Sequence, residues 1–168
     1  MSTLELRDVI AAVQDSLASD PEWVDAFAAA RGIHLGIFVE PYLTHVLAGR
    51  KTIESRFSVH RIAPFERVMS DDIVLLKRSS GPIVAIAQIQ DSQSMALTER
   101  TWRQVRSKAQ ELCADGAFWA EREEKRFATL MYLGRVRELE LPIVIKKRDP
   151  RPWVVLRDPH RSTNLRLF

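Results

Sequence analysis

The sequence predicts an α+β protein built on a small β-barrel that is decorated with helices. Short stretches with strand character recur at irregular spacing, and helical patterns are inserted among them. These helical patterns rarely have the length and position of crossovers between parallel strands, so a doubly wound parallel sheet is the weaker alternative. The 168 residues suffice for one domain with its own hydrophobic core.

Residues 1–33 are predicted to form a helical extension that consists of two helices. Apolar residues recur at helical spacing along the first half of this segment. Asp20 then offers an N-cap, Pro21 suits the first position of a second helix, and Gly32 can end it. We expect the two helices to pack against the rest of the chain or to form a homodimer contact.

The following segment is predicted to contain a helix between two strands. Residues 34–39 have strand character, and Pro41 can start a helix. Gly49 is well placed to end that helix in the left-handed conformation. Residues 51–57 then predict the second strand.

The remaining elements continue the mixture of strands and helices. Residues 72–77 and 83–90 have strand character, and the Ser-Ser-Gly-Pro turn at 79–82 predicts that they form a hairpin. The later predictions are helix at 98–113 and 118–125, strand at 129–140, 143–145 and 153–156, and a polar tail at 157–168.

Charge is distributed unevenly along the chain. Residues 1–33 hold two basic and six acidic side chains, a net charge of −4, whereas the whole chain carries +3. The remainder of the chain therefore carries +7, and a basic body favours an anionic partner, most commonly nucleic acid. Arginine outnumbers lysine by 19 to 6, so the base composition of the gene is an alternative explanation.

Several classes of protein are disfavoured by the sequence. No apolar run approaches the roughly 20 residues of a membrane helix, and the first residues lack the pattern of a secretory signal. Cys113 is the only cysteine, which excludes a disulfide framework. No histidine pair has metal-binding spacing beside a carboxylate. We therefore expect a cytoplasmic protein without membrane contact, metal or cofactor.

The strand predicted over residues 51–57 carries the candidate chemistry. Alternation places Thr52, Glu54 and Arg56 on one face, where a carboxylate and a guanidinium suit the wall of a polar cleft. Lys51 is expected at the mouth of this cleft as a mobile charge, and Arg56 offers a planar fork for phosphate or a base edge. Glu54 would hold Arg56 or accept a hydrogen bond from an exocyclic amine. An exposed strand with a surface ion pair is the alternative.

Further candidates for nucleic-acid contacts lie outside this strand. Lys77 and Arg78 end a strand beside the predicted turn, and Arg148 belongs to the densest basic run, so either group could bind backbone phosphates. Tyr132 combines a ring for stacking with a hydroxyl that suits a pocket wall. The alternative for the basic residues is solvated surface charge, and the alternative for Tyr132 is packing in the core. Other rings that could stack a base are Phe57, Phe65, Trp119 and Trp153.

The spacing Gly49-x-Lys51-x-x-Glu54-x-Arg56 matches, complete and in order, the G-x-K-x-x-E-x-R signature of the ASCH domain (activating signal cointegrator homology). The chain resembles this family over about residues 34–156, whereas the acidic residues 1–33 lie outside the resemblance. The flanks that resemble the family are residues 40–43, 72–77, 81–84, 147–149 and 153–156.

The resemblance implies a PUA-like β-barrel with a cleft beside the signature, and a role in binding RNA or a modified nucleotide within RNA. The hypothesis is therefore one ASCH domain over residues 34–156, between a helical extension at 1–33 and a polar tail at 157–168. Its cleft would be walled by Lys51, Glu54 and Arg56.

Two enzymatic activities are alternatives to binding alone. Some small members of this group resemble amidohydrolases that remove the acetyl group from N4-acetylcytidine, with a lysine as base and a threonine three residues later as nucleophile. This chain keeps the lysine as Lys51 but has Glu54 at the position of the threonine, and Thr52 does not align with it. The candidates for the family's catalytic glutamate, by neighbourhood alone, are Glu121, Glu123 and Glu124.

Ribonuclease activity is the other enzymatic alternative. Lys51 and Arg56 would stabilise a phosphorane-like transition state while Glu54 acts as general base. A third function class is a protein-interaction module, in which the acidic N-terminal helices contact a partner or a second copy of the chain.

Overall fold

The computed structural model of the protein describes residues 3–158 and contains eight strands and six α-helices in that range. A short 3₁₀ turn precedes the first helix. The strands are β1 (Leu4–Glu5), β2 (Ile33–Phe38), β3 (Ile53–Ser58), β4 (Ile73–Arg78), β5 (Ile83–Ala96), β6 (Phe127–Ile143), β7 (Ile145–Lys146) and β8 (Trp153–Arg157). The helices are α1 (Val9–Ser16), α2 (Pro21–Ala29), α3 (Tyr42–Leu47), α4 (Glu99–Arg106), α5 (Ala109–Leu112) and α6 (Gly116–Ala120).

Six of the strands form one curled sheet, a half-barrel, in the order β3-β6-β5-β4-β2-β8. All neighbours are antiparallel except β2 and β4, which are parallel. The predicted hairpin is confirmed as β4 and β5. The α+β class is also confirmed, but the sheet keeps two edges, β3 and β8, where a closed barrel would have none.

The two N-terminal helices are confirmed, and their apolar sides pack against the sheet. Val13 of α1 and Phe27 of α2 belong to one core cluster with residues of β2, β4 and β5. The acidic residues at the start of α2 contact arginines of β6: Glu22 lies 3.1 Å from Arg135, and Asp20 lies 3.4 Å from Arg137. Part of the charge asymmetry of the sequence is therefore balanced within the molecule.

The turn before β3 differs from the prediction. The strand begins at Ile53 instead of residue 51, because the backbone N–H groups of Arg50 and Lys51 donate to the carbonyl of His45 and not to a strand. Gly49 has a φ of 76°, which confirms it as the left-handed end of α3.

The helical segment after β5 is shorter and more broken than predicted. In place of one helix over residues 98–113, a capping box at Thr98 starts α4, and α5 ends at Cys113 in the left-handed conformation. The predicted helix at 118–125 is instead α6, which begins after Asp115 because this side chain accepts a hydrogen bond from the N–H of Phe118. The strands predicted at 129–140 and 143–145 are instead one long strand, β6, followed by the short strand β7.

Most of the predicted polar tail, residues 159–168, lies outside the described residues. Within residues 3–158, no helix has both the length and the apolar character needed to cross a membrane.

Candidate functional site

A cleft of about 480 Å³ lies beside the signature strand β3, between the end of β2, the start of α3 and helix α6. Its wall combines charged, hydroxyl and aromatic side chains from these elements. The main polar and aromatic residues that line it are Tyr42, Lys51, Glu54, Ser55, Arg56, Phe57, Ser79, Phe118, Glu121, Arg122 and Lys125.

Lys51 lies deep in the cleft, not at its mouth as predicted. Lys51 is only 3% exposed, and its Nζ donates to the carbonyl of Leu112, the last residue of α5, at 2.8 Å. The amine also lies 5.4 Å from the ring centroid of Tyr42 and 6.0 Å from that of Phe118. Burial lowers the pKa of Lys51, and the nearby Glu54 carboxylate opposes this effect.

Glu54 lies between the two basic residues of the signature. One of its oxygens is 3.8 Å from the Nζ of Lys51, and the other accepts a hydrogen bond from the Nε of Arg56 at 3.0 Å. Because Glu54 and Arg56 are two residues apart on β3, they share one face of the strand. The carboxylate therefore holds Arg56 in place and keeps a negative charge next to the buried amine.

The guanidinium of Arg56 crosses from β3 to the opposite side of the half-barrel. One terminal nitrogen donates to the carbonyl of Ile37 in β2 at 2.8 Å, and the other reaches the carbonyl of Pro152, just before β8, at 3.4 Å. The group also lies 5.0 Å from the ring centroid of Phe38 and 5.1 Å from that of Trp153. Arg56 is thus engaged by the protein itself and fixes the cleft wall.

Behind Arg56, a chain of buried polar groups supports Trp153. The indole N–H of Trp153 donates to Nδ1 of His34 at 3.2 Å, and Nε2 of His34 lies 2.8 Å from a carboxylate oxygen of Asp72. Because Nδ1 accepts a hydrogen bond, Nε2 carries the ring proton in this arrangement and donates a hydrogen bond to Asp72. The same carboxylate accepts from the backbone N–H groups of Gly32 and Met69.

Sequence reasoning missed several residues of the cleft, among them Tyr42, Phe118, Arg122 and Lys125. Tyr42 begins α3, its ring faces Phe118, and burial raises the pKa of its hydroxyl. The guanidinium of Arg122 lies 3.7 Å from the ring centroid of Phe118 and donates to the carbonyl of the same residue at 2.8 Å. The spacing of four residues between Phe118 and Arg122 was the available signal.

Other predicted site residues lie away from this cleft. Thr52 is exposed and lines a separate depression beside Gly134. Lys77 donates to the carbonyl of Arg78, and burial lowers the pKa of Lys77. Arg78 forms an ion pair with Glu40. Tyr132 packs near Ile53 and Leu130, and Arg148 is exposed in the segment after β7.

The three glutamates considered for an enzymatic role are separated by the structure. Glu121 lines the cleft, whereas Glu123 and Glu124 are exposed and do not line it. Within residues 3–158, no group of three or more His, Cys, Asp and Glu side chains is arranged to hold a metal ion.

Comparisons with known proteins identify structural neighbours but no relative by sequence. No family model matches the sequence, and a search of curated proteins finds no match. The fold is similar to the crystal structure of ASCH from Zymomonas mobilis, with a TM-score of 0.59 and 14% identity over 76% of this chain and 89% of that chain.

Two point variants of that protein give a similar result. A Ser→Ala variant has a TM-score of 0.58 at 13% identity, over 79% of this chain and 93% of that chain. A Tyr→Phe variant has a TM-score of 0.56 at 12% identity, over 77% and 94%. Together with the signature on β3, these similarities show that the chain has an ASCH-domain fold.

Proposed function

We propose that the protein binds RNA and takes one nucleotide, unmodified or modified, into the cleft beside β3. The observation that carries this proposal is the composition of the cleft, in which a buried ammonium and a carboxylate lie between aromatic rings. Its volume of about 480 Å³ falls in the range of about 300–1,000 Å³ typical of pockets for small ligands.

The groups at the floor of the cleft complement a nucleobase edge. The ammonium of Lys51 has three N–H donors, and the carbonyl of Leu112 takes one of them. The remaining donors suit a base carbonyl, and Glu54 can accept from an exocyclic amine. Phe57, which is partly exposed on the cleft wall, offers apolar ring surface beside these polar groups, and this suits a base that has left its stack.

Arg56 serves this function as a positioning residue and not as the phosphate fork expected from the sequence. Its nitrogens already donate to Glu54, Ile37 and Pro152. We assign the backbone phosphate to Lys125 and Arg122, which line the cleft and are partly exposed. A phosphate at Arg122 would compete with Glu121, which lies 3.4 Å from its guanidinium. Cations at the cleft edge would add a salt-dependent part to the affinity.

A second candidate function is hydrolysis of an N4-acetylcytidine-like nucleoside, and the lowered pKa of Lys51 favours it. A neutral amine can accept the proton of a water whose oxygen bonds to the acetyl carbon. The carbon–nitrogen bond then breaks, and this proton passes to the departing amine, which releases acetate and cytidine. Hydrolysis of the RNA chain, with Glu54 as base, is the related alternative.

The test is binding of cytidine monophosphate, N4-acetylcytidine and a labelled single-stranded RNA to wild type, Lys51→Met and Glu54→Gln. We expect each variant to weaken binding of the nucleotide about tenfold or more, since a hydrogen bond to a charged group is lost. Arg7→Met and Asp25→Asn remove the same charges at exposed positions outside the cleft and serve as controls. Unchanged binding in Lys51→Met and Glu54→Gln would overturn the proposal.

Turnover is measured on the same proteins by chromatography of the N4-acetylcytidine mixtures. Release of cytidine that disappears in Lys51→Met and Glu54→Gln would establish hydrolysis. Binding without release of cytidine or cleavage of the labelled RNA would leave binding as the function.

A further inference from the structure

A continuous group of aromatic rings leads from the cleft to the surface beside α4. Phe57, which lines the cleft, stacks on Trp102 with 5.8 Å between the ring centroids and 15° between the planes. Trp102 meets Trp119 edge to face at 6.5 Å, and Trp119 meets Phe118, on the cleft wall, at 4.9 Å. We call the outer part of this group, Trp102 and Trp119 with Arg106, the aromatic platform.

The tryptophans of the platform differ from the other two in the chain. Trp23 and Trp153 are 4% and 2% exposed and belong to the core clusters. Trp102 and Trp119 are only half-buried, and Trp119 packs at the border of the small cluster around Val105. The two rings contact each other and so form one continuous apolar surface, and such a patch points to a binding role more strongly than a single exposed ring does.

Arginines accompany these rings on both sides. On the cleft side, the guanidinium of Arg122 lies 3.7 Å from the ring centroid of Phe118. On the outer side, the guanidinium of Arg106 lies 5.6 Å from the ring centroid of Trp102 and 5.9 Å from that of Trp119. Arg106 is exposed, and no acidic side chain within residues 3–158 pairs with it. By contrast, Arg103 on the same helix is engaged by Glu99 at 3.4 Å.

We propose that the aromatic platform binds the nucleotides that flank the one held in the cleft, in single-stranded RNA. The inference rests on the proposed function, because the platform shares its inner contacts, Phe57 and Phe118, with the cleft wall. Partly exposed rings beside guanidinium groups match a chain of unpaired bases and phosphates, since a base stacks on a ring and a phosphate pairs with an arginine. A duplex offers no free base faces for such stacking.

The experiment measures the affinity of cytidine monophosphate, of single-stranded RNAs of three, six and ten nucleotides, and of a ten-base-pair RNA duplex by fluorescence titration. The variants are Trp102→Leu, Trp102→Phe and Arg106→Gln, and Arg103→Gln is the matched control on α4. We expect Trp102→Leu and Arg106→Gln to weaken binding of the ten-nucleotide RNA about tenfold and to leave the mononucleotide affinity unchanged. Trp102→Phe should restore most of the loss, because it keeps a ring at this position.

Two further signals should accompany binding through the platform. Tryptophan fluorescence should be quenched by the ten-nucleotide RNA, and the quenching should decrease in Trp102→Leu. The slope of affinity against salt should fall by about one in Arg106→Gln, as expected when one phosphate contact is lost. Far-ultraviolet circular dichroism checks that each variant is folded.

The outcomes separate this inference from the proposed function. An affinity that does not depend on RNA length, equal binding of duplex and single strand, or wild-type binding by Trp102→Leu and Arg106→Gln would overturn the platform. Loss of mononucleotide binding in Lys51→Met would still support the cleft in that case. If Lys51→Met leaves mononucleotide binding unchanged and Arg106→Gln weakens binding of the ten-nucleotide RNA, the platform is supported and the proposed role of the cleft is overturned.

Discussion

The guanidinium of Arg56 lies 5.1 Å from the ring centroid of Trp153, although the two residues belong to β3 and β8, the opposite edges of the sheet. Hydrogen bonds from Arg56 to Ile37 and Pro152 reinforce this contact. The signature arginine therefore links the two sides of the half-barrel across the cleft, and its replacement should affect the fold as well as the site.

We predict that Arg56→Lys lowers the free energy of unfolding by about 2–4 kcal/mol. A lysine ammonium cannot reproduce the planar fork that donates to Glu54 and to two backbone carbonyls. Urea denaturation followed by circular dichroism measures the change. Arg78→Lys, at an exposed ion pair with Glu40, is the control and should change stability by less than about 1 kcal/mol. Equal effects of the two substitutions would contradict the role given to Arg56.

The buried pair of His34 and Asp72 predicts strong energetic coupling. His34→Phe should cost about 3–5 kcal/mol, because it leaves the Asp72 carboxylate buried without its side-chain partner. Asp72→Asn in the same background should recover part of this loss, since it removes the unpaired charge. A double-mutant cycle by urea denaturation measures the coupling, and additive effects would argue against the hydrogen bond between the two side chains.

The lowered pKa of Lys51 predicts a pH dependence of stability. Burial disfavours the charged amine in the folded state, so the unfolded chain, with its ordinary value of 10.5, binds more protons in the interval between the two pKa values. The free energy of unfolding of wild type should therefore rise relative to that of Lys51→Met as the pH increases towards 10.5. Denaturation at several pH values tests this. Lys146→Met, which removes an exposed amine outside the cleft, is the control.

Gly36 in β2 lies against Phe38 and Trp153, the two rings that contact Arg56, and a larger residue should not fit there. A Cβ at this position would lie 2.9 Å from a ring carbon of Phe38 and 3.0 Å from one of Trp153. Gly36→Ala should therefore cost about 1–3 kcal/mol through overpacking. Gly116→Ala at the start of α6, where a Cβ meets nothing within 4 Å, should be neutral or slightly stabilising. The thermal midpoints of the two variants provide the measurement.

The parts of the fold that depend on local sequence were predictable. Gly49 as a helix end, the β4–β5 hairpin and the N-terminal helices follow from turn residues and periodicity that act within a few positions. The placement of Glu54 beside Arg56 follows equally from strand alternation. These features need no knowledge of which strands pair.

The buried contacts behind the cleft could not be predicted, because they join segments that are distant in the sequence. The hydrogen bond between His34 and Trp153 joins residues 119 positions apart, and the parallel pairing of β2 and β4 has no local sequence signal. Lys51 was expected at the mouth of the cleft for the same reason. Lys51 is buried because α5 covers the turn, and the carbonyl of Leu112 in α5 accepts a hydrogen bond from its Nζ.

The open interval between β3 and β8 has a consequence for the behaviour of the protein at high concentration. Exposed strand edges can pair with the edges of other molecules and cause aggregation or strand exchange. Here the charged side chain of Arg56 extends from one edge strand towards the other and occupies the carbonyls of Ile37 and Pro152. A foreign strand that entered this interval would have to displace the guanidinium from the three groups that accept its hydrogen bonds, so Arg56 also protects the chain against edge-to-edge association.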